Sequence, residues 1–239
     1  MGAADLDPQG RPVVVVTGMG LLTSLGEGVA ENWRRLVAGQ SGIRRITRFP
    51  LGGLRTTIAG TVDFVPAEPL CAPELSERMA ERVCEEAVAE ARIGARADFP
   101  GPLFLALPPV ELEWPQRRAL AAAAGANAAV SYDDLLAAAG TGAFTDVYER
   151  FLFGSVAENL AVRFGTKGSP VAISTACASG ATAIQLAVEA IRRGETAAAL
   201  CVGTDASVNP ESLIRFSLLS ALSTRNDPPE AASRPFSKD

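Results

Sequence analysis

The sequence predicts an α/β layered fold built around a mainly parallel sheet. Short apolar, β-branched runs alternate with segments of helical periodicity, which is the pattern of βαβ units. The chain has 239 residues, of which 48% are hydrophobic and 21% are charged, as in ordinary globular domains. That length corresponds to one large domain or two small ones.

Four apolar runs are predicted to be the strands of this sheet. The first, residues 13–16, is entirely valine and ends in a turn that contains two glycines. The second ends at Pro108 and Pro109, because proline cannot continue a central ladder. The second, third and fourth strands are predicted over residues 102–107, 170–174 and 197–202.

Helices are predicted between the strands from apolar spacing and capping residues. A capping box formed by Ser131 and Asp134 predicts one helix start, and Asn209 followed by Pro210 predicts another. Residues 40–66 are predicted to be rich in loops, with a small hairpin. The other helical segments are predicted over residues 26–39, 73–93, 115–140 in two pieces, 144–164 with an interruption near Gly154, and 178–193.

The composition excludes several classes of function. The chain contains no histidine, so these residues supply no His base, His metal ligand or His pH switch. Its 22 basic and 27 acidic side chains give a net charge of −5, which argues against nucleic-acid binding. Residues 168–188 are uncharged, but their Gly, Pro, Ser and Thr content favours a strand, a turn and a helix over a membrane span.

The N-terminal residues and the cysteines both predict a cytoplasmic protein. Residues 1–10 are predicted to be a disordered leader, since they lack the apolar core of a signal peptide. The four cysteines form no C-x-x-C pair and are expected to be reduced thiols. Three of them are expected only to pack: Cys71 in a loop, Cys84 on a helix and Cys201 in a central strand.

The turn at Gly18 and Gly20 does not complete a dinucleotide-binding fingerprint. The third glycine of that motif would fall at position 23, which is Thr23. We therefore interpret the two glycines as a tight turn after the first strand.

Cys177 is the candidate nucleophile. It lies in the segment STACASG, residues 174–180, where a predicted strand runs directly into a predicted helix through small residues. This is the arrangement of a nucleophile elbow with cysteine in place of serine. The helix N-terminus favours the thiolate, and the Cys177 N–H can contribute to an oxyanion hole. A small buried cysteine without a catalytic role is the alternative.

Several blocks of the sequence resemble the β-ketoacyl-acyl-carrier-protein synthases, the elongating type II condensing enzymes of the thiolase-like superfamily. The opening VVVVTGMGLLTSLGEG is similar to the first strand and turn of that family, and Trp33 with LVAGQSGI is similar to its next block. STACASGATAI resembles the block around the family's nucleophilic cysteine, and SALSTRNDPPEAASRPFSKD resembles the loop that follows. The blocks keep the family order over residues 11–239 and cover the N-terminal part of the family's chain.

The resemblance implies a thiolase-like layered fold, αβαβα in the full family, with residues 11–239 as its N-terminal half and its last strand missing. It implies that Cys177 receives an acyl group from acyl carrier protein, and that malonyl-acyl-carrier-protein loses carbon dioxide and attacks the thioester in fatty acid biosynthesis. No cofactor and no metal are expected, because phosphopantetheine on the carrier protein holds the acyl groups. A homodimer in the cytoplasm is expected.

The same resemblance implies that this chain alone is inactive in condensation, since the family's two histidines and lysine lie in its second half. One segment also departs from the family pattern: residues 107–114 read LPPVELEW where the family usually has a glycine-rich loop. This departure suggests a branch that uses unusual or very long acyl chains. Phe216 is predicted to line the acyl tunnel, with a core phenylalanine as the alternative.

Two other functions stay open. The chain could be a non-catalytic partner subunit or a remnant that docks on a complete condensing enzyme, although docking needs no thiol at position 177. A cysteine-dependent thioesterase would need a base, which here only a carboxylate could provide. The helix after Cys177 is expected to expose an apolar face, which favours aggregation or dimerisation.

Overall fold

The computed structural model describes residues 6–94, 97–125 and 130–237. Its strands are β1 (Leu22–Thr23), β2 (Gly26–Glu27), β3 (Arg44–Arg45), β4 (Ile58–Ala59), β5 (Leu103–Ala106), β6 (Val171–Ile173) and β7 (Leu200–Gly203). Its helices are α1 (Val29–Val37), α2 (Ala72–Ala91), α3 (Trp114–Ala123), α4 (Tyr132–Ala139), α5 (Thr145–Arg150), α6 (Ser155–Phe164), α7 (Ser179–Arg192) and α8 (Pro210–Leu218), with a 3-10 turn at Pro229–Ala231.

The core of the fold is a parallel sheet in the order β6-β5-β7. Phe104 in β5 lies opposite Val171 on one side and Cys201 on the other. Every residue of β5 is buried, as expected for a strand that is apolar on both faces. The strands predicted at 102–107, 170–174 and 197–202 are confirmed, but Cys201 lies in an edge strand of this sheet and not in its centre.

Helices cover both faces of the sheet, so the α/β fold class predicted from the sequence is confirmed. Successive side chains of β5 point to opposite faces. Phe104 and Ala106 pack against α7 through Ala183, Ala187 and Ala190. The opposite face packs against α2 and α6 through Leu103 and Leu105 with Ala80, Cys84, Leu160 and Phe164.

The predicted strand at residues 13–16 is wrong. Val16 is 76% exposed, and the chain there runs beside α2, where the Met19 N–H donates to Glu90 Oε2 at 2.6 Å and the Leu21 N–H donates to Glu86 Oε2 at 3.0 Å. The two edges of β5 pair with β6 and β7, and this run pairs with none of the described strands of that sheet. A cavity of about 540 Å³ separates it from the outer edge of β7.

Close packing against α2 explains the two glycines that follow this segment. A Cβ at Gly20 would lie 1.9 Å from the Val83 carbonyl oxygen, and a Cβ at Gly18 would lie 2.1 Å from the Ala87 carbonyl oxygen. Only glycine allows the backbone to come this near to a helix. The glycines therefore serve helix packing and not a nucleotide.

Local signals predicted the remaining helices. The capping box at the start of α4 is present, with the Asp134 N–H donating to Ser131 Oγ and the Ser131 N–H donating to Asp134 Oδ2. Asn209 caps α8 by accepting from the Ser212 N–H at 2.8 Å. The small hairpin is the antiparallel pair β3–β4.

Part of the predicted leader lies outside the described residues, which begin at Leu6. In the described part of the leader, Leu6 pairs with Pro12 in an isolated antiparallel bridge, and the Arg11 N–H donates to Asp7 Oδ1 at 2.9 Å. Within the described part of the chain, no helix combines the length and hydropathy that crossing a bilayer would require.

Candidate active site

Three chain segments leave the sheet at the same end, where the carboxyl ends of its strands lie. Because β5, β6 and β7 are parallel, their carboxyl ends meet there, where ligands bind in open α/β sheets. The Leu107 N–H donates to the Ile173 carbonyl at 3.1 Å, and the Thr204 N–H donates to the Ala106 carbonyl at 3.0 Å. The turn that carries Cys177 therefore begins beside the segment that follows β5.

Cys177 lies in the turn between β6 and α7, and its side chain is exposed. The alternative of a small buried cysteine is therefore wrong. Ala176 has a φ of +52°, in the left-handed region that residues other than glycine rarely adopt. Such a conformation costs about 1–3 kcal/mol and persists only where neighbouring contacts hold it.

Two hydroxyl groups at the start of α7 supply those contacts. Ser179 Oγ accepts from the Thr175 N–H at 2.7 Å and donates to the Ala176 carbonyl at 2.7 Å. Thr182 Oγ1 donates to the Ala178 carbonyl at 3.0 Å and lies 3.1 Å from Thr175 Oγ1. Neither residue was predicted from the sequence to hold the turn, although Ser and Thr commonly bond to nearby backbone groups at a helix start.

The N-terminus of α7 follows Cys177 directly. The helix begins at Ser179, and its N-cap residue, Ala178, offers no side-chain hydrogen bond. The first-turn N–H groups of a helix carry partial positive charge and stabilise anions beside them. The exposed thiol thus lies next to a source of positive potential that belongs to the backbone.

The other three cysteines are poor nucleophiles. Burial raises the pKa of Cys84 to about 12 and that of Cys201 to about 11. Burial also raises the pKa of Cys71, although contact with Arg150 opposes the shift. Because the thiolate is the reactive form, we expect these three thiols to react slowly.

The segment that follows β5 is held by charged contacts. Glu111 forms a bidentate ion pair with Arg215 of α8, at 2.8 and 2.5 Å. Glu113 is 4% exposed, and its Oε1 accepts from the Ala72 N–H at the start of α2 at 2.5 Å. Burial raises the pKa of Glu113, and the nearby Glu211 adds to this shift.

Phe216 follows Arg215 on α8 and is 51% exposed. The alternative of a core phenylalanine is therefore wrong. Its predicted place in an acyl tunnel stays a prediction.

One group of side chains could approach a metal ion. Glu68, Cys71 and Glu74 bring three ligand atoms within 4.8 Å of one another. Arg150 Nη1, however, donates to Glu68 Oε2 at 2.6 Å and lies 4.0 Å from Glu74 Oε2. Glu74 also pairs with Arg78, whose Nη2 lies 2.6 Å from Glu74 Oε1, so each carboxylate already has a guanidinium partner that a metal ion would have to displace.

Comparison with known proteins identifies the family. The profile described as "Beta-ketoacyl synthase, N-terminal domain" matches residues 11–239. A putative polyketide beta-ketoacyl synthase 1 of Streptomyces cyaneus is 31% identical over 93% of this chain and 53% of its own length. The 3-oxoacyl-[acyl-carrier-protein] synthase 2 of Vibrio harveyi is 32% identical over 94% of this chain and 53% of its own length.

Solved structures agree with that result. One match is a structure of a type II polyketide synthase acyl-carrier protein in complex with its ketosynthase, bound to the hexaketide. Its TM-score is 0.73, with 28% identity over 94% of this chain and 53% of the solved chain. A beta-ketoacyl synthase from Burkholderia phymatum matches with a TM-score of 0.67 and 27% identity over 93% and 53%.

The fold and the cysteine turn thus define a thiolase-like ketosynthase half. The chain belongs to the β-ketoacyl synthase family, whose N-terminal domain it matches. It spans about half the length of the curated relatives that it resembles.

Proposed function

We propose that this chain carries the acyl-accepting part of a β-ketoacyl synthase. Cys177 takes an acyl group from the phosphopantetheine thioester of acyl carrier protein and holds it for decarboxylative condensation with malonyl-acyl-carrier-protein. The observation that carries this proposal is the exposed Cys177 thiol, at a turn fixed by Ser179 and Thr182 on the carboxyl edge of the sheet.

The acylation step uses groups that this chain contains. The Cys177 thiolate attacks the thioester carbonyl carbon and forms a carbon–sulfur bond, and negative charge develops on the carbonyl oxygen. N–H groups near the start of α7 are suited to stabilise that charge. The carrier thiolate leaves as the carbonyl re-forms and takes up a proton from solvent, which completes the transfer.

The substrate class follows from the relatives only in outline, because they include both 3-oxoacyl-acyl-carrier-protein synthases and polyketide synthases. We propose fatty acyl thioesters as substrates, with Phe216 beside the acyl chain, and a homodimer in the cytoplasm as the working form. No cofactor and no metal beyond the carrier's own phosphopantetheine enter this scheme.

Mass spectrometry tests the acylation step. The chain is incubated with fatty acyl and polyketide-type acyl thioesters of acyl carrier protein, with Cys177→Ser as the control. We expect one acyl group on Cys177 of the native sequence and none on the variant. A chain that stays unmodified while remaining folded would overturn the proposal.

Condensation is tested separately by adding malonyl-acyl-carrier-protein. The 239 residues contain no histidine to assist decarboxylation, so we expect no β-ketoacyl product from this chain alone. Formation of that product by the pure 239-residue protein would contradict this expectation.

A second candidate function is docking, without catalysis, on a complete condensing enzyme. It is favoured by apolar side chains that are exposed on α7, at the end of α8 and directly after α8, namely Ile184 at 57%, Leu218 at 81% and Leu219 at 73%. Exposure of Ile184 also agrees with the expected apolar face of the helix after Cys177. Tight binding to a complete synthase together with an unreactive Cys177 would favour this function.

A further inference from the structure

The hydroxyl group of Ser179 is used twice on the turn that carries Cys177. Ser179 Oγ accepts from the Thr175 N–H and donates to the Ala176 carbonyl, each at 2.7 Å. Both partners precede Cys177 in the chain, so these bonds run backwards from the first residue of α7. The hydroxyl thereby closes a ring of hydrogen bonds around Ala176, the residue with a φ of +52°.

The burial of these residues shows what loss of the hydroxyl would do. Ser179 is 9% exposed, whereas Thr175 and Ala176 are exposed. Water can therefore replace the hydroxyl at the Thr175 N–H and the Ala176 carbonyl, so its loss leaves no buried group unpaired. The ring around Ala176 would nevertheless be open, and an alanine freed from such a ring favours a negative φ.

Thr182 has a supporting part in the same turn. Its Oγ1 donates to the Ala178 carbonyl at 3.0 Å and lies 3.1 Å from Thr175 Oγ1. Neither contact touches the backbone of Ala176. The hold on Ala176 is therefore assigned to Ser179.

The conformation of Ala176 determines where Cys177 lies. The two residues share a peptide unit, so a change in the backbone dihedrals of Ala176 moves Cys177 relative to the start of α7. Reactions of a fixed nucleophile are sensitive to its position, and a displacement of about 1 Å can cost about 100-fold in rate. The shape of the turn is thus coupled to the reactivity of the thiol.

We propose that Ser179 is a positioning residue whose hydroxyl locks Ala176 in the left-handed conformation and thereby fixes the place from which Cys177 reacts. The biological role of this lock rests on the proposed acyl transfer. The lock itself belongs to the turn, and a reagent that needs no carrier protein can test it.

The rate at which iodoacetamide labels Cys177 measures the lock, with peptide mass spectrometry as the readout and N-acetylcysteine as the reference. We expect Ser179→Ala to slow labelling by up to about 30-fold, the factor that corresponds to about 2 kcal/mol. Ser179→Thr keeps the hydroxyl and should retain most of the native rate. The matched control is Ser131→Ala, which removes a serine hydroxyl at the start of α4 and leaves the Cys177 turn intact.

Ala176→Gly tests the reason for the lock. Glycine adopts a positive φ without the penalty of a Cβ, so the turn then no longer depends on Ser179. In the Ala176→Gly background, adding Ser179→Ala should slow labelling less than it does in the native sequence. Hydrogen exchange of the Thr175 amide should also speed up in Ser179→Ala and not in Ser131→Ala, because that N–H loses its acceptor.

The proposal is overturned if Cys177 reacts as fast in Ser179→Ala as in Ser131→Ala. It is also overturned if Ser179→Ala slows labelling equally in the native and the Ala176→Gly backgrounds, since the hydroxyl would then not act through Ala176. Failure of the proposed function looks different: acyl thioesters of acyl carrier protein then load Cys177 in no variant, while iodoacetamide still separates Ser179→Ala from its control.

Discussion

Alkylation with iodoacetamide near pH 8 should modify Cys177 first. The thiolate fraction of Cys201, with a pKa of about 11, is about one in a thousand at that pH, and that of Cys84, with a pKa of about 12, is about one in ten thousand. Free cysteine is about one-quarter thiolate there. Acidity alone therefore makes Cys201 react roughly 200-fold more slowly than free cysteine, and burial slows it further.

Peptide mass spectrometry with N-acetylcysteine as an internal reference measures these rates. Raising the pH by about one unit should speed the reaction of Cys201 about tenfold, because its thiolate fraction grows in that proportion. Cys177→Ser should remove the fast phase and leave the slow ones. Labelling of Cys84 or Cys201 at a rate within tenfold of Cys177 would refute the assignment of Cys177 as the accessible nucleophile.

Three further outcomes are expected. Gly20→Ala should lower the free energy of unfolding by about 1–3 kcal/mol in urea titration, because the new Cβ overlaps the Val83 carbonyl, whereas Gly52→Ala, with open space around it, should not. Ser131→Ala should cost about 1 kcal/mol in the same assay, since it removes the cap of α4. Above about pH 9 the free energy of unfolding should fall, by up to about 1.4 kcal/mol per pH unit for Cys84. Burial raises the pKa of Cys84 in the folded chain, so only the unfolded thiol ionises in that range. Thermal melts at a series of pH values measure this slope, and Cys84→Ala should flatten it.

Sequence signals that act over a few residues were reliable. The capping box at Ser131 and the Asn209 cap both appear as predicted, since each side chain bonds to a backbone group three positions away. The strand predicted at the valine run, residues 13–16, is wrong because strand pairing depends on distant residues. Its composition favours a strand, but composition does not decide whether a run pairs with a sheet edge. Here the following backbone bonds to Glu86 and Glu90 of α2, and a cavity separates the run from the outer edge of β7.

The same distinction applies to the candidate site. Small residues around Cys177 predicted a sharp strand-to-helix turn, and that turn is present between β6 and α7. The pair Glu111–Arg215 and the contact of Glu113 with Ala72 could not be predicted, because they join residues 104 and 41 positions apart. Such contacts depend on the tertiary fold and leave no periodic trace in the sequence.

The residues that shape the turn are different from the cysteine that it presents, which supports a chemical role for Cys177. Ser179 and Thr182 make the hydrogen bonds that hold the left-handed Ala176, so the turn does not depend on the thiol for its shape. A cysteine kept for packing is normally buried, as Cys84 is at 1% exposure, whereas Cys177 is exposed. An exposed thiol in front of an uncapped helix N-terminus contributes little to stability but is well placed to react, which is the arrangement an acyl acceptor needs.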